Sequence, residues 1–200
     1  MIGLMSTPEH SDHAPDHPNP WTTLSSRIYY ENPWIRVRED QVLRPDGLPG
    51  IYGVVEFKNR AVGVVPVEDD GSVWLVGQYR YPLQAYSWEI PEGGCPDSES
   101  PEATALRELR EETGLTAGRI ELVAKSHLSN SVSDELGYLF RATDLTPGPD
   151  DPEGTERITV RRFAWSEVCR MLKAGEITDS LSVMALLHEA VRRLEAIESK

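Results

Sequence analysis

Apolar and polar positions alternate along much of the first half of the chain, with the period of two that marks strands half-buried on a core. Ile35, Val37 and Glu39 carry this alternation within a strand-like stretch from Trp21 to Phe57. The run VLRPDGLPGIYGVVEF reads as a hairpin, because Pro45-Asp46-Gly47 has turn chemistry. AVGVVPV (61–67) and SVWLVGQY (72–79) are two further β-rich runs joined by the turn Glu68-Asp69-Asp70-Gly71, and YSWEI (86–90) is a short strand. IELVAKSHL (120–128), LGYLFRAT (136–143) and RITVRRF (157–163) are strand candidates, the last preceded by the loop TPGPDDPEGTE (146–156). Ser166 to Ala174 reads as a helix closed by Gly175. Asp179 to Glu198 reads as a long amphipathic helix with apolar positions at 183, 186, 187, 191 and 194. Residues 1–20 are polar, Pro-rich and without periodicity, as in a disordered tail; His10, His13 and His17 there read as solvated.

The period changes to that of a helix between Ser100 and Gly114. Ser100 supplies an N-cap hydroxyl, Pro101 suits the first helical position, and Gly114 suits the left-handed residue past the end. Around this helix Glu108, Glu111 and Glu112 share an arc of about 100°. Leu106, Leu109 and Thr113 lie on the other side, with Ala103 and Ala105 flanking. Carboxylates at this spacing repel one another, and they sit near the helix C-terminus, where the dipole disfavours negative charge. The arrangement calls for a compensating cation, and oxygen-only ligands suit a hard ion such as Mg2+ or Mn2+.

Composition narrows the setting. Two hundred residues, 39% of them hydrophobic, fit one domain with a small appendage. A formal charge of −13 argues against a nucleic-acid partner, though not against a nucleotide, since bound cations invert the local field. Only Cys95 and Cys169 are present, so no disulfide framework is expected and a cytoplasmic setting is the default. No apolar run is long enough to span a membrane, and no secretory signal opens the chain.

The stretch GGCPDSESPEATALRELREETGL, Gly93 to Leu115, resembles the Nudix box GX5EX7REUXEEXGU, U being apolar, at every specified position. A chance match has odds on the order of one in a million. The resemblance implies an α/β fold, the Nudix αβα sandwich with a mixed β-sheet, here with an N-terminal antiparallel β-segment. It divides the chain into a tail (1–20), a β-segment (21–58) that in such proteins packs against a partner subunit, and a hydrolase domain (59–200). A homodimer is therefore expected.

The flanks resemble the ADP-ribose and nucleoside-diphosphate-sugar branch of that family. They are VGQYRYP (76–82), WEIPEGG (88–94), EGTERITVRRF (153–163) and GEITDSLSVMAL (175–186). The resemblance implies metal ligation by Glu108, Glu112 and the backbone carbonyl of Glu92, with Glu111, Glu156 and Glu153 as candidate bases. It gives Arg80 to the substrate phosphates and pairs Arg107 with Glu99, Gly93 and Gly114 being structural. The implied reaction is metal-dependent hydrolysis of a nucleoside diphosphate sugar, foremost ADP-ribose to AMP and ribose 5-phosphate. Asn130 and Ser131 stand where the branch usually has a proline, which leaves GDP-mannose or a dinucleotide open as substrate. A triphosphate-sanitising enzyme and a non-catalytic nucleotide-sensing module are the rival readings. Trp88, Tyr52 and Tyr86 could stack a base, although core packing is the commoner fate of such aromatics.

Overall fold

The computed structural model describes residues 17–148 and 157–199. The tail expectation therefore lies mostly outside the described residues, where only residues 17–20 are seen, exposed and without helix or strand. Three N-terminal strands, β1 (Thr22–Glu31), β2 (Ile35–Leu43) and β3 (Pro49–Phe57), form an antiparallel sheet. The expected hairpin joins β2 to β3, with Gly47 at φ +78, a conformation only glycine adopts without strain.

The next two runs are β4 (Arg60–Pro66) and β5 (Val73–Arg80), and the turn between them holds Gly71 at φ +82. They enter different sheets. β5 lies between β6 (Ala85–Glu89) and β10 (Thr159–Phe163). β4 lies in a four-stranded sheet with β7 (Glu92–Cys95), β8 (Leu115–His127) and β9 (Leu136–Pro147), in the order β7-β4-β9-β8. The β4–β9 pairing is parallel and the others antiparallel, so this sheet is mixed.

Side chains of β4 alternate between two cores, as strand geometry requires. Val62 and Val64 meet Ala105 and Leu109 of helix α1 (Pro101–Thr113), together with Cys95 and Phe140. Val65 and Val67 meet the opposite core, built with α2 (Trp165–Ala174) and α3 (Ser180–Glu198) from Val168, Met171, Leu181, Ala185 and Leu186. The molecule is thus the α/β sandwich expected, with α1 on one face of the mixed sheet and α2 and α3 on the other. Both cysteines are free. No helix among the described residues is long and apolar enough to cross a membrane.

Two helix faces differ from the sequence reading. In α1 the buried positions are Thr104, Ala105, Glu108 and Leu109, whereas Leu106 is exposed. In α3 the packed face is Leu181, Ser182, Ala185, Leu186 and Glu189, while Leu187, Val191 and Leu194 are more than half exposed. The cause is the same in both. A buried polar side chain with a dedicated partner takes a place in the packed face and rotates the apolar stripe outward. Ser182 accepts the Ile90 amide at 2.9 Å, and Glu189 holds Arg141 and Arg193 at 2.8 and 2.7 Å.

Candidate active site

Local chemistry sets α1 as expected. The Ser100 hydroxyl accepts the Ala103 amide at 3.1 Å, and Gly114 at φ +69 returns its amide to Arg110. The helix lies beside β7, where Gly93 leaves room for the Glu108 carboxylate; a Cβ at Gly93 would overlap it. Glu108 is therefore almost fully buried against the strand that leads into the helix. Glu112, one turn on, accepts the Glu92 amide at 3.0 Å.

Arg107 gathers the remaining acidic groups. Its guanidinium lies 3.2 Å from Glu99, as expected, and 2.8 Å from both Glu108 and Glu111, and it donates to the Gly94 carbonyl at 3.2 Å. Glu99 also accepts the Thr104 hydroxyl at 2.8 Å. Together the Thr104 hydroxyl and the Arg107 cation hold the Glu99 carboxyl below its ordinary value. One arginine thus ties the loop before the helix to the carboxylates on it.

A cavity of about 550 Å³ opens next to this assembly. Arg80, Glu92, Gly93 and Gly94 line it, as do Glu135 just before β9 and Asp179 at the N-cap of α3. Arg80 Nε lies 3.0 Å from both oxygens of Glu89, a carboxylate only 2% exposed, and its Nη2 bonds Glu92 at 2.8 Å. Arg80 therefore both pairs with buried carboxylates and faces the cavity. Burial, then the neighbouring Asp179 and Glu89, push the Glu92 carboxyl well above its ordinary range. Among the described residues, one buried oxygen of Glu92 has no hydrogen-bond donor.

The donor chemistry here fits a hard divalent cation. The groups are all carboxylate or carbonyl oxygens, crowded together with more negative charge than Arg80 and Arg107 offset. Among the described residues no three such side chains already converge on one point. Glu153 and Glu156 lie outside the described residues.

Trp88, Tyr52 and Tyr86, read as able to stack a base but more commonly packed, are packed on other aromatics. Trp88 packs edge-on against Phe163 at 5.0 Å in the core, Tyr86 packs on Trp88, and Tyr52 meets Trp21. The aromatics that do line the cavity are Trp34 and Phe57, at the ends of β2 and β3. Trp34 follows Asn32-Pro33 in a strand-free turn, and a turn carries no periodicity to single it out.

Comparison with known proteins agrees with this geometry. Residues 57–185 match the model of the NUDIX domain, and residues 21–55 match that of the nucleoside diphosphate sugar hydrolase N-terminal domain. An ADP-ribose pyrophosphatase of Bacillus subtilis is 28% identical over 180 residues, covering 89% of this chain and 96% of that protein. An ADP-ribose pyrophosphatase of Mycobacterium tuberculosis is 32% identical over 168 residues, covering 82% and 81%. In fold, the chain is similar to a crystal structure of an ADP compounds hydrolase, with a TM-score of 0.78 at 22% identity, over 89% of this chain and 95% of that one.

Proposed function

The chain belongs to the Nudix family, and from that premise we propose that it hydrolyses the diphosphate linkage of nucleoside diphosphate sugars, ADP-ribose to AMP and ribose 5-phosphate first among them. It is a pyrophosphohydrolase of the ADP-ribose and ADP-sugar pyrophosphatase type. One observation carries the choice of substrate class. The cavity beside the box is lined by Trp34 and Phe57 from the N-terminal segment together with Arg80. That combination suits a ligand with a flat base or ring joined to a diphosphate. A triphosphate-sanitising enzyme has no need of the added segment.

Nudix hydrolases generally use divalent metal ions. In this chain Glu108, Glu112 and the Glu92 carbonyl would hold them, Mg2+ or Mn2+ being the ions their hard oxygens favour. Bound there, such ions neutralise phosphate oxygens and lower the pKa of the attacking water. Arg80 keeps Nε and Nη2 on Glu89 and Glu92 and presents the rest of its fork to a phosphate. Arg107 keeps Glu111 and Glu108 from splaying apart before substrate arrives. Water adds to one phosphorus, the anhydride P–O bond breaks, and Glu111, Glu153 or Glu156 takes the water's proton.

The working unit in this proposal is a homodimer. Every residue of β1 is exposed, Leu24, Ile28 and Tyr30 each by more than half, although the strand is rich in apolar groups. An apolar edge strand of this kind asks for a covering surface, and a second copy supplies one. Because Asn130 and Ser131 replace the branch's proline, GDP-mannose is the second substrate to try.

The test is product chromatography with ADP-ribose and magnesium. Wild-type protein yields AMP and ribose 5-phosphate, and Glu112→Gln, with its fold intact by thermal melt, loses about a hundredfold or more in kcat. A Glu112→Gln variant at near-wild-type rates in saturating magnesium removes Glu112 from the ligand set.

A further inference from the structure

The loop between β8 and β9, residues 128–135, forms one wall of the cavity through Leu128, Ser129 and Glu135. It is not free-standing. Leu128 and Glu135 close its neck with a 3.1 Å hydrogen bond, and the Val132 and Ser133 amides turn back onto the Ser129 carbonyl. Its outer arm then runs parallel to β3 of the N-terminal sheet, paired at Val55 and Ser133. The Val55 amide donates to the Val132 carbonyl at 2.8 Å, the Asp134 amide donates to the Val55 carbonyl at 3.3 Å, and the Tyr52 hydroxyl donates to the Ser131 carbonyl at 2.9 Å. The end of this zipper is a side chain. The Asp134 carboxylate accepts the Phe57 amide at 2.8 Å, and Phe57 lines the same cavity, as do Trp34 and Asn59.

We infer that Asp134 is a positioning residue that fixes the width of the substrate cleft, by fastening the loop wall (Ser129, Glu135) to the aromatic wall (Trp34, Phe57). This rests on the reading of the cavity as the site of a nucleoside diphosphate sugar, and it deepens that reading. A hydrogen bond from an amide to a carboxylate is among the stronger kinds, and it stands at the place where the two walls meet. The hydrogen bonds seen for Asp134 go to Val55 and Phe57 of β3. Its loss therefore changes how substrate is gripped rather than how the anhydride is broken, and the N-terminal segment becomes part of the recognition apparatus as well as a dimer surface.

The experiment has two readouts. Amide hydrogen exchange at Phe57 is measured without substrate, and KM and kcat are measured on whichever nucleoside diphosphate sugar the wild-type protein turns over. Asp134→Ala is expected to expose the Phe57 amide to exchange and raise KM about tenfold with kcat within about twofold, the signature of lost uniform binding. Asp134→Asn keeps an oxygen acceptor and is expected to return both readouts most of the way to wild type. Unchanged KM in Asp134→Ala, or equal impairment of the two variants, overturns the inference. If the wild type turns over no nucleoside diphosphate sugar, the functional reading fails by itself, and the exchange readout still decides whether Asp134 joins the two walls.

Discussion

At the scale of single residues, Arg107 shows how a crowded acidic site folds before any cation arrives. It contacts three carboxylates and a backbone carbonyl, so part of the repulsion among Glu99, Glu108 and Glu111 is offset from within the chain. Glu99 gives this a measurable pH dependence. Its folded-state pKa is depressed below 4.5, by the Thr104 hydroxyl first and Arg107 next. A depressed carboxylate stabilises the fold above the unfolded value, and that contribution is lost as pH falls through the folded one. Melting temperature should therefore drop on acidification below pH 4.5, and Glu99→Gln should start lower at neutral pH and show a shallower drop. An identical acid slope in the variant would show that the Glu99 contacts contribute nothing to stability. Residue-scale signals were legible where they are local: Gly114 takes the left-handed position past the helix end that suits glycine, and Arg107 lies on Glu99 as the resemblance implied. Trp34 and Phe57 were missed because a cavity wall assembled from two strand ends has no sequence period.

Among elements, α1 was the most legible, since cap, proline and terminal glycine act within a few residues of one another. β7 escaped notice because Glu-Gly-Gly-Cys offers no alternation; it is a strand through its pairing with β4, a long-range fact. α3 was read as starting at Asp179, which is its N-cap, yet its buried face was misjudged, because Ser182 and Glu189 hold core positions by virtue of partners far away in sequence. β1 raises the opposite problem: a strand whose Leu24, Ile28 and Tyr30 stay exposed among the described residues. Placing a charge there, as in Ile28→Asp, should leave the hydrolase core intact and convert the proposed dimer to monomer in light scattering at micromolar concentration. Monomeric wild-type protein under the same conditions would remove the dimer from the account.

For the whole molecule, a net charge of −13 goes with a proposed site for an anion. In the proposed function, acidic surface elsewhere is tolerable because cations held by the carboxylates of α1 would invert the local field. The two matched segments, 21–55 and 57–185, meet at the cavity, the first bringing Trp34 and the second Phe57 and the box. This junction ties the choice of substrate to the architecture, and it is open to direct trial. The measurement is kcat/KM on ADP-ribose, GDP-mannose, UDP-glucose, diadenosine polyphosphates and nucleoside triphosphates, with magnesium and with manganese. The account predicts that nucleoside diphosphate sugars lead, ADP-ribose first, and that chelation abolishes turnover. Preference for triphosphates, or binding of ADP-ribose with no turnover in either metal, would contradict it.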